Sequence, residues 1–190
     1  MNTIYRLLLT FNATSLLVII FLVQKTLTLG HFFPEVPSLV GMPNYVSYLG
    51  YLSVPVLLTG ISIRLSSYLG KDEFTPNEIE SVEHANNSFL PSYLGYFFVA
   101  LSVGNWETLG FVYGVLFVFT FLSQALYFNP LFLLFGFEFY NINTKNGTSI
   151  FLISKYKYKK PCEVDVPVAN RINNYTFIER GDNGSRFGKG

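Results

Sequence analysis

Between residues 7 and 137 the chain passes through four stretches, 7–23, 45–63, 89–103 and 110–137, that hold no Asp, Glu, Lys, Arg or His. A bilayer core about 30 Å thick is crossed by about 20 apolar residues in a helix, because backbone groups left unpaired in lipid are costly. The stretches therefore predict an all-α bundle of four transmembrane helices over residues 1–138. Arg6 and Lys25 bound the first, which Asn12, Thr14 and Ser15 interrupt. It reads as an anchor rather than a cleaved leader, since Gln24, Lys25 and Thr26 form no small-residue cleavage site. The third is short, and Trp106 just beyond it suits an interfacial aromatic belt. The fourth would be about 42 Å long at 1.5 Å per residue. A tilt or a break at Pro130 is expected there, and a kink at Pro55 in the second.

Composition agrees. Half the residues are hydrophobic and 13% are charged, against about a quarter charged in soluble domains. Nine of the 13 Lys and Arg residues follow residue 140. With an even number of crossings, Arg6, Arg64, Lys71 and the tail share one side against Lys25 on the other. The positive-inside rule makes that side cytoplasmic, with both termini there and the protein in the inner membrane.

Charged groups inside a membrane are expensive and are kept for function, so their absence argues against an ion-coupled carrier. Asn12, Gln124 and Asn129 remain, to bond between helices or to line a pore. Ala100 with Gly104, and Gly110 with Gly114, repeat the small-xxx-small spacing that lets helices approach closely. A short turn at residues 104–107 would bring the two pairs together.

Outside the spans, the loop 26–44 is apolar and carries Pro34, Pro37 and Pro43, which suggests a cap over the helix ends or against the outer leaflet. In the inner loop 64–88, Thr75-Pro76-Asn77-Glu78 has the pattern of a capping box, which predicts a short helix over 76–86. The tail 139–190 changes period. Asn146-Gly147 is the pair preferred for a type I′ hairpin turn, and strands are expected over 139–144, 149–157, 164–168 and 175–178. These make a small β-rich cytoplasmic C-terminal subdomain. Lys155, Lys157 and Lys159 alternate with Tyr156 and Tyr158 before Lys160, which would give one basic and one aromatic strand face. Such a patch could take an acidic partner, anionic headgroups or nucleic acid. Residues 181–190 are polar and Gly-rich.

No phosphate loop, dinucleotide fingerprint, zinc motif or nucleophile elbow occurs. The one cysteine, Cys162, has no histidine near it in sequence. No enzyme, cofactor or metal site is expected.

The run Phe128-Asn129-Pro130-Leu131-Phe132-Leu133-Leu134-Phe135-Gly136-Phe137-Glu138-Phe139-Tyr140, with the hairpin after it, resembles the KwaA family, the membrane subunit of the Kiwa anti-phage defence system. The wording matches over about residues 128–155 and the layout over the whole chain. The resemblance implies a homo-oligomeric inner-membrane sensor or scaffold. It would hold a soluble DNA-binding partner, KwaB, and activate it on phage attack, without binding nucleic acid itself. Lys155, Tyr156, Lys157, Tyr158, Lys159 and Lys160 would be the partner platform. The residues alone leave a small oligomeric channel or holin-like pore as the alternative, with Asn12, Gln124 and Asn129 facing its lumen.

Overall fold

The computed structural model describes residues 2–87, 90–122 and 129–181. Their helices are α1 (Asn2–Gln24), α2 (Leu29–Phe32), α3 (Pro37–Val40), α4 (Asn44–Leu65), α5 (Leu90–Ser102), α6 (Trp106–Leu122) and α7 (Leu131–Leu134). Their strands are β1 (Lys71–Phe74), β2 (Ile79–His84), β3 (Glu138–Thr144), β4 (Ser149–Ser154), β5 (Val166–Arg171) and β6 (Thr176–Glu179).

α1 is the central helix. Tyr5, Leu9, Ala13, Leu17 and Phe21 recur every fourth residue, which returns a side chain to nearly the same face. All five are at most 4% exposed. α4, α5 and α6 pack around them. At one end Tyr5 donates to the Ser62 carbonyl (3.1 Å) and Arg6 to the Phe121 carbonyl (3.0 Å). At the other, Gln24 donates to the Leu101 carbonyl (2.7 Å), and the Phe21 and Trp106 rings meet edge to face. α2 and α3 cap this second end, with the backbone of Leu39 and Val40 so close to Gly30 that a Cβ there would stand 2.7 Å away.

α4 is turned inside out. Its buried residues are Ser47, Pro55, Thr59 and Ser62. Leu49, Leu52, Val54, Leu57, Ile61 and Leu65 are exposed, Leu57 to 65%. A helix packed in water shows the reverse arrangement.

The expected four-helix transmembrane bundle is not formed. Two helical segments, Thr3–Gln24 and Asn44–Tyr68, are long and apolar enough to cross a membrane. α5 and α6 hold 13 and 17 residues, about 20 and 25 Å at 1.5 Å per residue, short of a hydrocarbon core of about 30 Å. A break at Pro130 does occur: α7 begins after it. Residues 123–128, with Gln124, lie outside the described residues.

A second correction concerns the inner loop. The Thr75–Glu78 capping box forms, but it closes one turn of 3-10 helix, Pro76–Glu78, and the chain leaves it as β2. Pairing with β3 overrides the local helix start: Ser81 lies opposite Asn143, which donates to it at 2.9 Å. Both inner-loop strands thereby join the tail in one six-stranded sheet, ordered β1-β5-β6-β4-β3-β2. Neighbours are antiparallel except β4 and β6.

The sheet has to curl. Laid flat, its two edges would stand about 24 Å apart, at about 4.8 Å per strand. The link from Phe74 to Ile79 spans at most about 18 Å. Curling leaves one core inside, built on Tyr140, Ile142, Leu152, Val166 and Phe177, and a second on the face turned to the helices.

Two glycines set the entry and the tip of β3. Gly147 takes φ 77° in the hairpin, whereas Asn146 does not have a positive φ. The turn is therefore not the expected type I′, which needs both residues left-handed. Gly136 (φ 75°) ends α7. Its N–H bonds to the Leu133 carbonyl and that of Phe137 to the Phe132 carbonyl, the two bonds of a Schellman motif, with Phe137 stacked edge to face on Phe132. A Cβ at Gly136 would touch nothing, so Gly136→Ala is strained through its backbone alone. A loss of about 1 kcal/mol is expected, read as a lowered thermal midpoint in detergent.

Candidate functional site

The helices and the sheet share one core. Tyr5, Leu9 and Tyr93 come from the helical side, Phe137 from the link before β3, and Phe139, Phe151, Ile153 and Ile178 from the sheet. Phe132, fully buried, contacts the rings of both Phe137 and Phe139. Phe139 and Phe151 stack nearly parallel, 17° apart. The short segment 129–139 is therefore held by both parts of the molecule.

Above this seam lies a buried polar lattice. Asn129 donates to Thr59 Oγ1 (3.1 Å), and its own side-chain oxygen accepts the Leu131 N–H (3.0 Å), which starts α7. Asn12 stands 2.7 Å from the same Thr59 oxygen. In the amide orientation that satisfies every atom, its nitrogen donates to the Pro55 carbonyl and its oxygen accepts from Asn129 (2.8 Å). Asn12, Thr59 and Asn129 are at most 1% exposed. Two of the three residues named for a pore are thus spent on each other inside one chain, and Gln124 falls outside the described residues.

The lysine segment is not the expected strand. β4 ends at Ser154 because the Ser154 hydroxyl accepts the Tyr156 N–H (2.9 Å), turning the chain. The N–H of Lys159 and of Lys160 then bond to Glu163 (2.9 and 3.3 Å) instead of to a neighbouring strand. Lys155, Lys157, Lys159 and Lys160 are exposed all the same, while Tyr158 is 5% exposed. Tyr156 is half-buried, and Lys155 sits over the Phe137 ring at 5.2 Å. The tyrosines hold the strap down and the lysines face out.

Beneath the strap lies a carboxylate–tyrosine cluster absent from the sequence reading. Glu179, 3% exposed, accepts from Ser154 (2.6 Å) and from Tyr158 (2.7 Å). Tyr140 donates to Glu138 (2.7 Å) and accepts the Tyr158 N–H (3.2 Å). Burial, together with the bond to Glu138, pushes the Tyr140 phenol up to about 12, so it stays a donor. The one legible sign was Glu179 closing a four-residue, otherwise uncharged strand.

Burial pushes the Glu138 carboxyl up, but the Tyr140 and Lys157 bonds and the nearby Lys157 and His84 charges outweigh it and hold it below the usual carboxylate range. A carboxyl with a depressed folded value stabilises above its unfolded value, near 4.5, and loses that contribution as pH falls through the folded one. Glu138→Gln should therefore flatten the acid limb of a stability-against-pH curve below about pH 4.5. An unchanged limb would remove Glu138 from the account.

The remaining candidates are dispersed. Ala100, on α5, is buried and packs against Leu17 and Phe21 of α1. A Cβ built on Gly104, Gly110 or Gly114 would meet nothing within 4 Å, so the described residues show no close approach at these glycines. Asp72 and Arg171 form a two-pronged ion pair (2.5 and 2.6 Å) beside a groove of about 500 Å³ at the hairpin end of the sheet. Among the described residues no cluster of three His, Cys, Asp or Glu could hold a metal ion.

The family model for anti-phage protein KwaA matches residues 5–178. The chain belongs to the KwaA family of anti-phage proteins. The match runs from the first turn of α1 to Ile178 in β6, so the family takes in the helices, the seam and the curled sheet together. No curated protein and no solved structure matches the chain. Membership in the KwaA family places the chain in anti-phage defence.

Proposed function

We propose that this KwaA-family chain is a non-enzymatic, homo-oligomeric inner-membrane sensor and scaffold, which holds a soluble DNA-binding partner on its cytoplasmic sheet. The observation that carries the membrane part is the inversion of α4, with Ser47, Thr59 and Ser62 inside and leucines outside. Where lipid is the solvent, apolar outer faces cost nothing and polar side chains pair between helices. α1 and α4 cross the bilayer, and the α5–α6 hairpin packs against α1 within the same layer.

The charges support one orientation. Arg6, Arg64 and the sheet with its lysines stand at one end, and Lys25 at the other. By the positive-inside rule the sheet is cytoplasmic. The strap then presents Lys155, Lys157, Lys159 and Lys160 to the cytoplasm as the partner platform. The segment 129–139, bonded into the lattice above and the sheet below, is the mechanical link from membrane to partner.

Extraction of membranes with alkaline carbonate tests the membrane half. The chain should stay in the pellet and leave it only with detergent. Recovery in the supernatant would contradict the reading.

A further inference from the structure

We propose that the groove between α1, α4 and α6 binds one acyl chain of an anionic phospholipid, with Lys25 meeting its headgroup. The inference rests on the membrane reading above and goes beyond it in naming a ligand and its site. The groove holds about 290 Å³. Its floor follows α1 from Phe11 through Ser15 to Leu22, and Val54 of α4 and Tyr113 of α6 also line it.

Three observations select the occupant. First, the polar groups on the wall are already used: Ser15 donates to the Asn12 carbonyl (2.7 Å), Tyr51 to the Leu27 carbonyl (3.2 Å), and Thr14 bonds to the Tyr113 oxygen (3.3 Å). What remains is a hydrocarbon surface, in which water finds too few partners to stay. Second, Val54 on the rim is 52% exposed and continues the outward apolar face that includes Leu57 and Ile61, so the groove opens into the surface that lipid covers. Third, the floor from Phe11 to Leu22 runs about 16 Å along the helix, which is about half the thickness of a bilayer core, or one leaflet.

Lys25 supplies the headgroup contact. It is the first residue after α1, three residues beyond Leu22 at the end of the groove, with its ammonium 5.8 Å from the centre of the Phe21 ring. A cation one turn above the end of an acyl groove favours an anionic phosphate over a zwitterionic headgroup.

The test uses the full chain in mild detergent, mixed with phosphatidylglycerol or phosphatidylcholine of the same acyl chains and weighed intact by native mass spectrometry. The wild type should retain one phosphatidylglycerol per chain, and several-fold less phosphatidylcholine. Val54→Trp, which fills the groove from its lipid-facing rim, should lower retention at least ten-fold; Leu22→Phe fills it from the floor should Val54→Trp fail to fold. Lys25→Gln should erase the preference between the two lipids. The proposal is overturned if the wild type holds neither lipid, or if both filled variants hold phosphatidylglycerol as before. It is equally overturned if filling changes the oligomer mass without changing bound lipid, since a second copy would then be the occupant. Carbonate extraction of the same wild type separates failure of the groove from failure of the membrane reading.

Discussion

Phe132→Ala should cost about 3–5 kcal/mol, the usual range for emptying a fully buried phenylalanine site. Phe132 is 0% exposed and meets both Phe137 and Phe139. Its carbonyl also takes the Phe137 N–H that closes α7. Removing the ring leaves a cavity where α1, α7 and the sheet join, and little else in the seam can collapse into it. The expected result is a sheet loosened from the helices: new protease cuts after residue 138, with the helical part still in the membrane fraction. Wild-type cleavage and melting would mean that the seam does not hold the two parts together.

The second large effect concerns the lysine strap. If the proposed function holds, changing Lys155, Lys157, Lys159 and Lys160 together to Glu should lower recovery of the proposed soluble partner at least ten-fold in a pull-down, and abolish phage protection. Membrane insertion should hold, with the thermal midpoint lowered only slightly. Charges on the rim of an interface govern encounter and partner choice more than folding, and reversing them sets like against like on an acidic partner. The four lysines are exposed, so the folded chain loses only the Lys155 contact over the Phe137 ring and the Lys157 pair with Glu138 at 3.4 Å, whose lysine is 78% exposed. Such pairs contribute little. Deleting residues 141–190 would be a poorer experiment, since it removes β4, β5 and β6 and strips β1 of its partner. Unchanged partner recovery by the four-fold variant would move the platform elsewhere on the sheet.

The physical reason for each success and failure in the sequence reading is specific. Uncharged runs locate helices well, and α1 and α4 fall where those runs lie. They do not report length, because Phe89 to Val103 and Gly110 to Phe137 are apolar for two reasons at once: some residues face outward and others build the seam. Phe132 and Phe137 belong to the second kind, so the fourth run ends in a short α7 and a core, and the described residues do not make four full crossings. The helix expected after Thr75 failed because a capping box is a local feature, whereas β2 is decided by pairing with β3, some 60 residues away. The same long-range pairing drew β1 and β2 into a sheet expected from the tail alone.

At the strap, the alternation of lysine and tyrosine correctly separates outward from inward side chains. It misnames the backbone, because period two also arises in a chain pinned through side chains, as Ser154 and Glu163 pin this one. Glu179 was invisible for a related reason. A buried carboxylate declares itself through donors brought from elsewhere, here Ser154 and Tyr158, and their meeting depends on the parallel pairing of β4 with β6.

The single exposed thiol tests the central claim most directly. Cys162 lies beside the strap, so on this account it faces the cytoplasm behind a bilayer that α1 and α4 cross. In intact spheroplasts a membrane-impermeant maleimide should leave it unlabelled, and lysis should expose it fully. Labelling before lysis would put the sheet on the outer face and contradict the account.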